Sequence, residues 1–191
     1  MYYFAYGSNM LTARLAERVP AVRPAGPAWL THHQLHFHLR GSDGSGKCNV
    51  LHTGQADDIV HGVLFELDAA RLTRLHAAEG PPYAFLELDV GTAEGPCRAA
   101  IYRGKPAYLD DTLVPYDWYC AFVVGGAREH GLPADYVETL AAVASHSDPD
   151  PLRARRNART LAHRPTNVHH EPLAESDRGR SACRDRVNDP Q

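Results

Sequence analysis

The sequence has few cysteines, and they are scattered along the chain. None of the four lies in a Cys-x-x-Cys pair: Cys48, Cys97, Cys120 and Cys183. Paired spacing of that kind is typical of zinc sites, and dense cysteine frameworks are typical of small secreted domains. The pattern therefore predicts reduced, partly buried thiols in a cytoplasmic protein, with neither a disulfide framework nor a zinc site.

The chain also lacks a long apolar run and an excess of basic charge. No stretch is apolar over the roughly 20 residues that a membrane-spanning helix needs. No basic segment precedes the first apolar residues, which argues against a signal peptide. The formal net charge is -3, from 20 Lys and Arg against 23 Asp and Glu. We therefore expect neither a membrane nor a nucleic acid as a partner.

Residue periodicity and turn signals predict a single α+β domain over residues 1–146. We expect a small, mixed, mostly antiparallel barrel-like sheet with flanking helices. The predicted strands are 2–6, 29–40, 48–53, 59–67, 83–90 and 97–102, and the predicted helices are 11–19, 68–79, 116–129 and 135–145. Residues 48–53 and 59–67 are expected to form one antiparallel hairpin, and 83–90 and 97–102 another. The proline-rich segment 20–27 is expected to be irregular.

The composition changes after residue 146. Residues 147–191 are rich in Arg, Asp, Pro and Ser and have few aromatic or branched apolar residues. Such a segment buries too little apolar surface to fold alone, so we predict a disordered or peripheral tail. The arginines of 153–159 are interpreted as a solvated basic surface, with contact to an acidic partner as the alternative.

The N-terminal stretch predicts a strand that turns sharply into a helix. Gly7 ends the apolar run, and Ser8 or Asn9 is suited to cap the helix that follows. Backbone N–H groups at such a turn, together with the helix dipole, can bind a carboxylate or an oxyanion. The alternative is an ordinary strand–turn–helix connection that binds no ligand.

Glu79 is the most informative carboxylate. It shares a helical face with Leu72 and Leu75, and this is the face that must pack on the sheet. Burial, and a position at the C-terminal end of a helix, would both raise the pKa of the carboxyl group and make it a stronger base. The alternative is a solvent-exposed glutamate in the last helical turn.

Three motifs are found within residues 2–145. The first is Tyr3-Phe4-Ala5-Tyr6-Gly7-Ser8-Asn9. The second is Glu79-Gly80-Pro81-Pro82-Tyr83, a Glu-Gly-loop-Tyr pattern after a helix. The third is Tyr119 followed by Gly126-Ala127, Gly131-Leu132-Pro133 and Tyr136. Together these motifs resemble the γ-glutamylcyclotransferase family, and the first resembles its N-terminal signature.

The resemblance implies a γ-glutamylcyclotransferase-like fold and a cyclisation that needs no metal and no cofactor. In this reaction the α-amine of a small γ-glutamyl compound attacks its own γ-carbonyl group, which gives 5-oxoproline and a free amine. By resemblance, Glu79 is the residue that transfers the proton. The implied substrate-binding residues are Tyr3, Phe4, Ala5, Tyr6, Gly7, Ser8, Asn9 and Tyr119.

Asn9-Met10 stands where glutathione-specific members have leucine followed by an aromatic residue. This difference favours γ-glutamyl amino acids or γ-glutamyl amines as substrates. We expect the leaving amine to contact the loops at 41–47 and 104–115. The sequence leaves open the identity of that amine and the choice between a monomer and a homodimer.

Two other functions compete with this interpretation. His32, His36 and His38 share one face of a predicted strand and, with His52 or His61, could form a three-histidine metal centre. An exposed polar strand face explains the same pattern. The second alternative is a non-catalytic module that uses the pocket only to bind a small ligand.

Overall fold

The computed structural model describes residues 1–162 of the chain. Seven strands are present in this range: β1 (Tyr2–Ala5), β2 (Arg23–Thr31), β3 (His33–Arg40), β4 (Gly46–His52), β5 (Ile59–Glu66), β6 (Tyr83–Thr92) and β7 (Gly95–Gly104). Five α-helices accompany them: α1 (Thr12–Arg18), α2 (Ala69–Glu79), α3 (Asp117–Glu129), α4 (Ala134–Ala141) and α5 (Pro151–Ala162).

Five of the strands close into a barrel in the order β1-β5-β2-β6-β7. All neighbours are antiparallel except β1 and β7, which pair in parallel and close the barrel. The barrel shares one continuous apolar core with α1, α2 and α3 through residues such as Phe4, Leu15, Phe65, Leu75 and Phe122. The predicted α+β class and the mixed, mostly antiparallel barrel are therefore confirmed.

The remaining two strands, β3 and β4, form a separate antiparallel ribbon. Asn49 of β4 joins this ribbon to the barrel, because its buried side-chain oxygen accepts a hydrogen bond of 2.7 Å from the amide of Gly104 on β7. Its amide nitrogen lies 3.0 Å from Nε2 of His38 on β3. The ribbon thus holds the loop at 41–45 beside the barrel.

Three strand predictions were wrong. β4 pairs with β3 and not with β5, so the expected hairpin of 48–53 with 59–67 does not form. The single strand predicted at 29–40 is two strands, because His32 adopts a left-handed φ of 61° between them. The segment expected to be irregular lies largely in β2, which pairs along β5 with a bulge between Pro24 and Gly26.

Those prolines are tolerated because β2 is fully paired on one side only. It pairs with β6 at a single position, Trp29 opposite Gly91. A Cβ atom at Gly91 would lie 2.3 Å from the Trp29 ring, so glycine lets the barrel close over that ring. The hairpin of β6 and β7 was predicted correctly.

Helix α2 has the predicted ends. The Asp68 carboxylate accepts a hydrogen bond from the amide of Arg71 at its start, and Gly80 follows its end with a φ of 69°. Helix α1 differs, because Ser8–Met10 form a 3₁₀ turn and no side chain of that turn caps the helix. The Glu129 carboxylate of α3 instead accepts a hydrogen bond from the amide of Thr12.

Helix α5 lies in the segment that was predicted as a disordered or peripheral tail. Its Thr160 hydroxyl donates to the Glu17 carboxylate of α1 at 2.5 Å, and Asn157 and Thr160 are buried. The expectation of disorder therefore fails for 151–162, where polar and ionic contacts replace the apolar ones that the composition lacks. The rest of the predicted tail, 163–191, lies outside the described residues.

Within the described part of the chain, no helix is long and apolar enough to span a membrane. Cys48, Cys97 and Cys120 are buried. Cys183 lies outside the described residues.

Candidate active site

A cavity of about 570 Å³ opens between the turn after β1, the end of α2, the loop between β3 and β4, and α5. Two groups of its lining side chains differ in charge and in hydrogen bonding. The group that we call the glutamate wall consists of Tyr3, Asn9, Arg18 and Glu79. The group that we call the basic wall consists of Asp43, Lys47, Arg153 and Arg156.

The turn after β1, which carries Asn9, also lines the cavity. Its own hydrogen bonds use the amides of Met10 and Leu11, which donate to the carbonyls of Gly7 and Ser8. The amides of Ser8 and Asn9 take no part in these two hydrogen bonds. Helix α1 begins after the turn, at Thr12, whose amide donates to Glu129, and the contribution of the α1 dipole to anion binding stays a prediction.

The structure brings most of the predicted binding residues to the cavity. Those that line it are Tyr3, Tyr6, Gly7, Ser8, Asn9 and Tyr119. Phe4 and Ala5 are fully buried and do not line it, so the geometry does not support substrate contact by these two. They lie in the core because helices cover the outside of the barrel and both faces of β1 are buried.

Glu79 is the last residue of α2, and its side chain is only 8% exposed. Asn9 Nδ2 donates to Glu79 Oε1 at 2.7 Å, and Arg18 Nη1 approaches the same oxygen at 3.4 Å. Burial raises the pKa of Glu79, while Arg18 and the Asn9 hydrogen bond act in the opposite direction. A buried carboxyl group with a raised pKa that faces a cavity is suited to proton transfer.

Asn9 orients the carboxyl group. Its side-chain nitrogen also donates to the Tyr3 hydroxyl at 2.9 Å, and its side-chain oxygen accepts from Arg18 Nη1 at 3.1 Å. Both polar atoms of the Asn9 side chain therefore have partners. Asn9 and Arg18 are bonded to each other as well as to Glu79, and this network fixes the position of the carboxyl group. Sequence reasoning assigned Asn9 to the substrate and did not foresee this role.

Tyrosine hydroxyl groups surround the carboxyl group. Burial raises the pKa values of Tyr3, Tyr83 and Tyr102 above the ordinary tyrosine range, and the negative charge of Glu79 acts in the same direction. These hydroxyl groups stay protonated at neutral pH and can donate hydrogen bonds. Tyr83 and Tyr102 were not predicted as site residues, although Tyr83 belongs to the motif that follows Glu79.

Tyr119 of α3 also lines the cavity. Its hydroxyl accepts a hydrogen bond of 2.9 Å from the amide of Cys48 and lies 3.2 Å from where a Cβ atom at Gly7 would be. Burial raises the pKa of the Cys48 thiol to about 12, so the thiol is protonated and a poor nucleophile. The close packing explains why glycine occupies position 7.

The basic wall was missed by sequence reasoning, apart from the loop at 41–47. Lys47 Nζ donates to Asp43 at 2.8 Å and to the Ser45 hydroxyl at 2.6 Å. The same ammonium group lies 4.8 to 5.6 Å from the ring centroids of Tyr116, Trp118 and Tyr119. Of the two loops expected to contact the leaving amine, 41–47 contributes to the cavity and 104–115 does not.

Helix α5 supplies the rest of this wall. Arg153 makes two hydrogen bonds of 2.6 Å to the Asp148 carboxylate, whose side chain is 0% exposed. Arg156 lies one helical turn further along and lines the same cavity. Two signals in the sequence indicate this helix. Asp150-Pro151 is a typical helix start, and the spacing of 153, 156, 157 and 160 places these residues on one helical face.

The histidine face does not form a metal centre. His32 lies outside the strands, His52 packs against His33, and His61 packs against Tyr136. His38 is bonded to Asp111 at 2.7 Å. Among residues 1–162, no three His, Cys, Asp or Glu side chains converge in a way that could hold a metal ion.

Comparison with known proteins agrees with this geometry. Residues 59–140 match the sequence profile of the AIG2-like family. The γ-glutamylcyclotransferase of Homo sapiens is 32% identical over 153 residues, which cover 74% of this chain and 77% of that protein. The Mus musculus protein of the same name is 31% identical over an equal length.

The fold agrees as well. A solved structure of a γ-glutamyl cyclotransferase superposes with a TM-score of 0.76 at 25% identity, and the match covers 85% of this chain and 98% of that one. The matched family profile begins at β5, ends within α4 and includes Glu79. On these grounds the chain belongs to the γ-glutamylcyclotransferase family.

Proposed function

We propose that the protein converts γ-glutamyl amino acids or γ-glutamyl amines to 5-oxoproline and the free amine. The α-ammonium group of the substrate loses a proton, and the resulting amine attacks the γ-carbonyl carbon of the same molecule. A new C–N bond closes the five-membered ring, and the attacking nitrogen gives up a second proton. The bond to the leaving nitrogen then breaks. That nitrogen takes up one proton as it leaves and a second one from solvent, which gives the ammonium form of the free amine. No water is consumed.

The position of Glu79 carries this proposal. The carboxyl group is almost fully buried, faces the cavity and is held by Asn9 at 2.7 Å. Its raised pKa brings its basicity closer to that of the α-amine. A single carboxyl group can therefore accept the proton from the α-ammonium group and return it to the leaving nitrogen.

The turn after β1 supports the second requirement, which is stabilisation of the oxyanion. As the ring closes, the γ-carbonyl oxygen becomes negatively charged. Ser8 and Asn9 line the cavity, and their amides, which the hydrogen bonds of the turn do not use, are the donors that we propose for this oxygen. The tyrosine hydroxyl groups and Ser8 provide donors for the α-carboxylate. Holding the glutamyl chain bent against these groups brings the amine close to the carbonyl carbon, which favours ring closure.

No protein nucleophile is needed in this scheme. Burial keeps the Cys48 thiol protonated. Ser8 is not followed by the glycine of a Gly-x-Ser-x-Gly hydrolase elbow, since the chain continues with Asn9-Met10. The substrate supplies its own nucleophile. The protein supplies a base, hydrogen-bond donors and a cavity that holds the glutamyl chain bent.

The test is direct. The purified chain is treated with EDTA and incubated with γ-glutamyl-L-alanine, γ-glutamylethylamide and glutathione, and 5-oxoproline is measured by mass spectrometry. We expect 5-oxoproline from at least one of the first two compounds. If all three compounds bind without turnover, the chain is a binding module and the proposed reaction is wrong.

A further inference from the structure

The charge balance of the basic wall differs from that of the rest of the cavity. Lys47 is paired with Asp43, and Arg153 is paired with Asp148. Among the described residues, no carboxylate lies in salt-bridge distance of Arg156, the third cation of this wall. One positive charge is therefore uncompensated at the edge of the cavity, where an anionic group of a ligand could bind it.

The two walls have separate hydrogen bonds. Glu79 is bonded to Asn9 and Arg18, whereas Lys47 is bonded to Asp43 and Ser45. Cys48 follows Lys47 in β4, and a Cβ atom at Gly7 would lie 3.0 Å from Cys48 and 3.2 Å from the Tyr119 hydroxyl, so these contacts connect the turn after β1 to the strand that carries Lys47. If the γ-carbonyl group of a substrate is beside Glu79 and the turn, its leaving amine extends past Tyr119 towards Lys47 and α5.

Lys47 also occupies the place that would bind a cation. Three aromatic rings and the Asp43 carboxylate form a box of the kind that recognises ammonium groups. The Lys47 ammonium fills this box, so the box is not available to a cationic leaving amine. The wall therefore excludes an external cation and leaves Arg156 to attract an anion.

We propose that Arg156 on α5 is a specificity-determining residue that binds a carboxylate on the leaving amine, while Lys47 blocks cationic amines. This inference rests on the proposed function and chooses between its two substrate classes. γ-Glutamyl amino acids carry the required carboxylate next to the scissile nitrogen, and γ-glutamyl amines do not. The helix that composition alone placed in a tail is thus part of the substrate-binding site.

The first test compares two substrates that differ only in this carboxylate. γ-Glutamyl-L-alanine and γ-glutamylethylamide are matched in every other group of the leaving amine. In Arg156→Gln, kcat/KM for the alanine compound should fall about tenfold, the scale of one charge-assisted hydrogen bond at a partly exposed site. The value for the ethylamide should be unchanged, and Arg156→Lys should restore part of the loss.

Arg155→Gln is the matched control, because Arg155 is on the same helix, is exposed and does not line the cavity. It removes the same charge and should leave both substrates unaffected. An unchanged ratio of the two kcat/KM values in Arg156→Gln would overturn the proposal, as would an equal change in Arg155→Gln. Either result would leave the proposed reaction intact.

The second test opens the aromatic box. Lys47→Ala leaves Asp43 beside three rings without its cation, so turnover of γ-glutamyl-1,4-diaminobutane relative to γ-glutamyl-L-alanine should rise. Circular dichroism checks that the variant is folded. If a folded Lys47→Ala variant shows no rise in the turnover of the diaminobutane compound relative to the alanine compound, the proposed role of Lys47 is wrong. If the wild-type chain makes no 5-oxoproline, the proposed reaction fails but the role of Arg156 and Lys47 can still be tested. Calorimetric Kd values for the same compounds then replace kcat/KM, and the ratio of Kd values for each pair of compounds decides whether these residues select the ligand.

Discussion

On the glutamate wall a single buried carboxyl group is held by Asn9 and Arg18, whereas on the basic wall every cation except Arg156 is paired with a carboxylate. Burial raises the pKa of Glu79 against the opposite effects of Arg18 and Asn9, which suits the proton transfer that we propose for it. The charge of Arg156 is available to an anionic group of a ligand. In our proposal the two walls therefore have different tasks, chemistry at the glutamate wall and recognition at the basic wall.

Glu79→Gln should have the largest effect, because it removes the group that exchanges the proton and keeps the shape of the side chain. We expect kcat to fall by about 10² to 10⁴-fold, the usual range for loss of a general base. Ligand affinity should be retained, since a glutamine oxygen can still accept from Asn9. Steady-state kinetics and calorimetry measure the two effects, with the exposed Glu87→Gln as the control.

The stability of this variant has a defined pH dependence. The folded pKa of Glu79 is raised, so its contribution to stability is most favourable below the unfolded pKa and is lost as pH rises through the folded pKa. Glu79→Gln should therefore have a thermal midpoint at pH 7 that is equal to or above that of the wild type, and this difference should disappear below about pH 4.

The kinetic result decides the role of Glu79. A kcat of Glu79→Gln within tenfold of the wild-type value would show that Glu79 does not transfer the proton.

The packing of α3 against the turn after β1 gives the next prediction. A Cβ atom at Gly126 would lie 2.4 Å from the Leu11 amide nitrogen, whereas one at Gly125 would meet its nearest neighbour at 3.6 Å. Gly126→Ala should reduce the free energy of unfolding by about 1–3 kcal/mol through overpacking. Gly125→Ala should be neutral or stabilising by up to about 1 kcal/mol, because alanine favours helix.

Urea denaturation of the two alanine variants, with their m-values, measures this difference. Because the backbone of the turn would move, Gly126→Ala should also weaken binding at the glutamate wall more than at the basic wall. Equal stability of the two variants would show that the turn moves away from α3 without cost, and the close approach would then not explain the glycine.

Three of the four members of the glutamate wall, Tyr3, Asn9 and Glu79, were singled out from the sequence, because they lie in two short motifs. The fourth, Arg18 at the end of α1, was not. The turn after β1 and the end of α2 both carry local signals, namely Gly7 and the pair of helix ends at Asp68 and Gly80. What could not be predicted was which side chains of β1 face the cavity. Alternation identifies one face of a strand as exposed, but both faces of β1 are covered, so Phe4 and Ala5 lie in the core and do not line the cavity.

The basic wall was not predictable in the same way, since tertiary contacts bring it together. Lys47 reaches the cavity because β3 and β4 form a ribbon that Asn49 ties to the barrel. Helix α5 depends on Asp148, Asp150 and Glu17, which accept hydrogen bonds from Arg153, the amide of Leu152 and Thr160. Composition arguments count apolar residues and do not detect a helix that is fixed by polar contacts.

Arg18→Gln tests the electrostatics of the glutamate wall. Arg18 lowers the pKa of Glu79 against the larger effect of burial, so its removal should raise that pKa further. The acidic limb of the pH profile of kcat/KM should move to higher pH, and turnover at mildly acidic pH should fall several-fold. Arg14→Gln should shift the limb in the same direction by less, because Arg14 is the weakest of the groups that influence Glu79. If the acidic limb of the kcat/KM profile does not move in either variant, the limb reports the ionisation of a group other than Glu79.

Asp148→Asn should have the smallest effect, and it separates the two walls most cleanly. Asp148 holds Arg153 through two bonds of 2.6 Å and also accepts a bond of 2.8 Å from Trp118 Nε1, so it fixes the start of α5. Its loss should raise KM for γ-glutamyl-L-alanine by no more than about tenfold, the scale of one hydrogen bond, and leave kcat unchanged. Asp89→Asn, which breaks the exposed pair with Arg98, should change neither constant. A fall in kcat for Asp148→Asn would instead mean that the basic wall also positions the reacting groups, and that chemistry and recognition are coupled across the cavity.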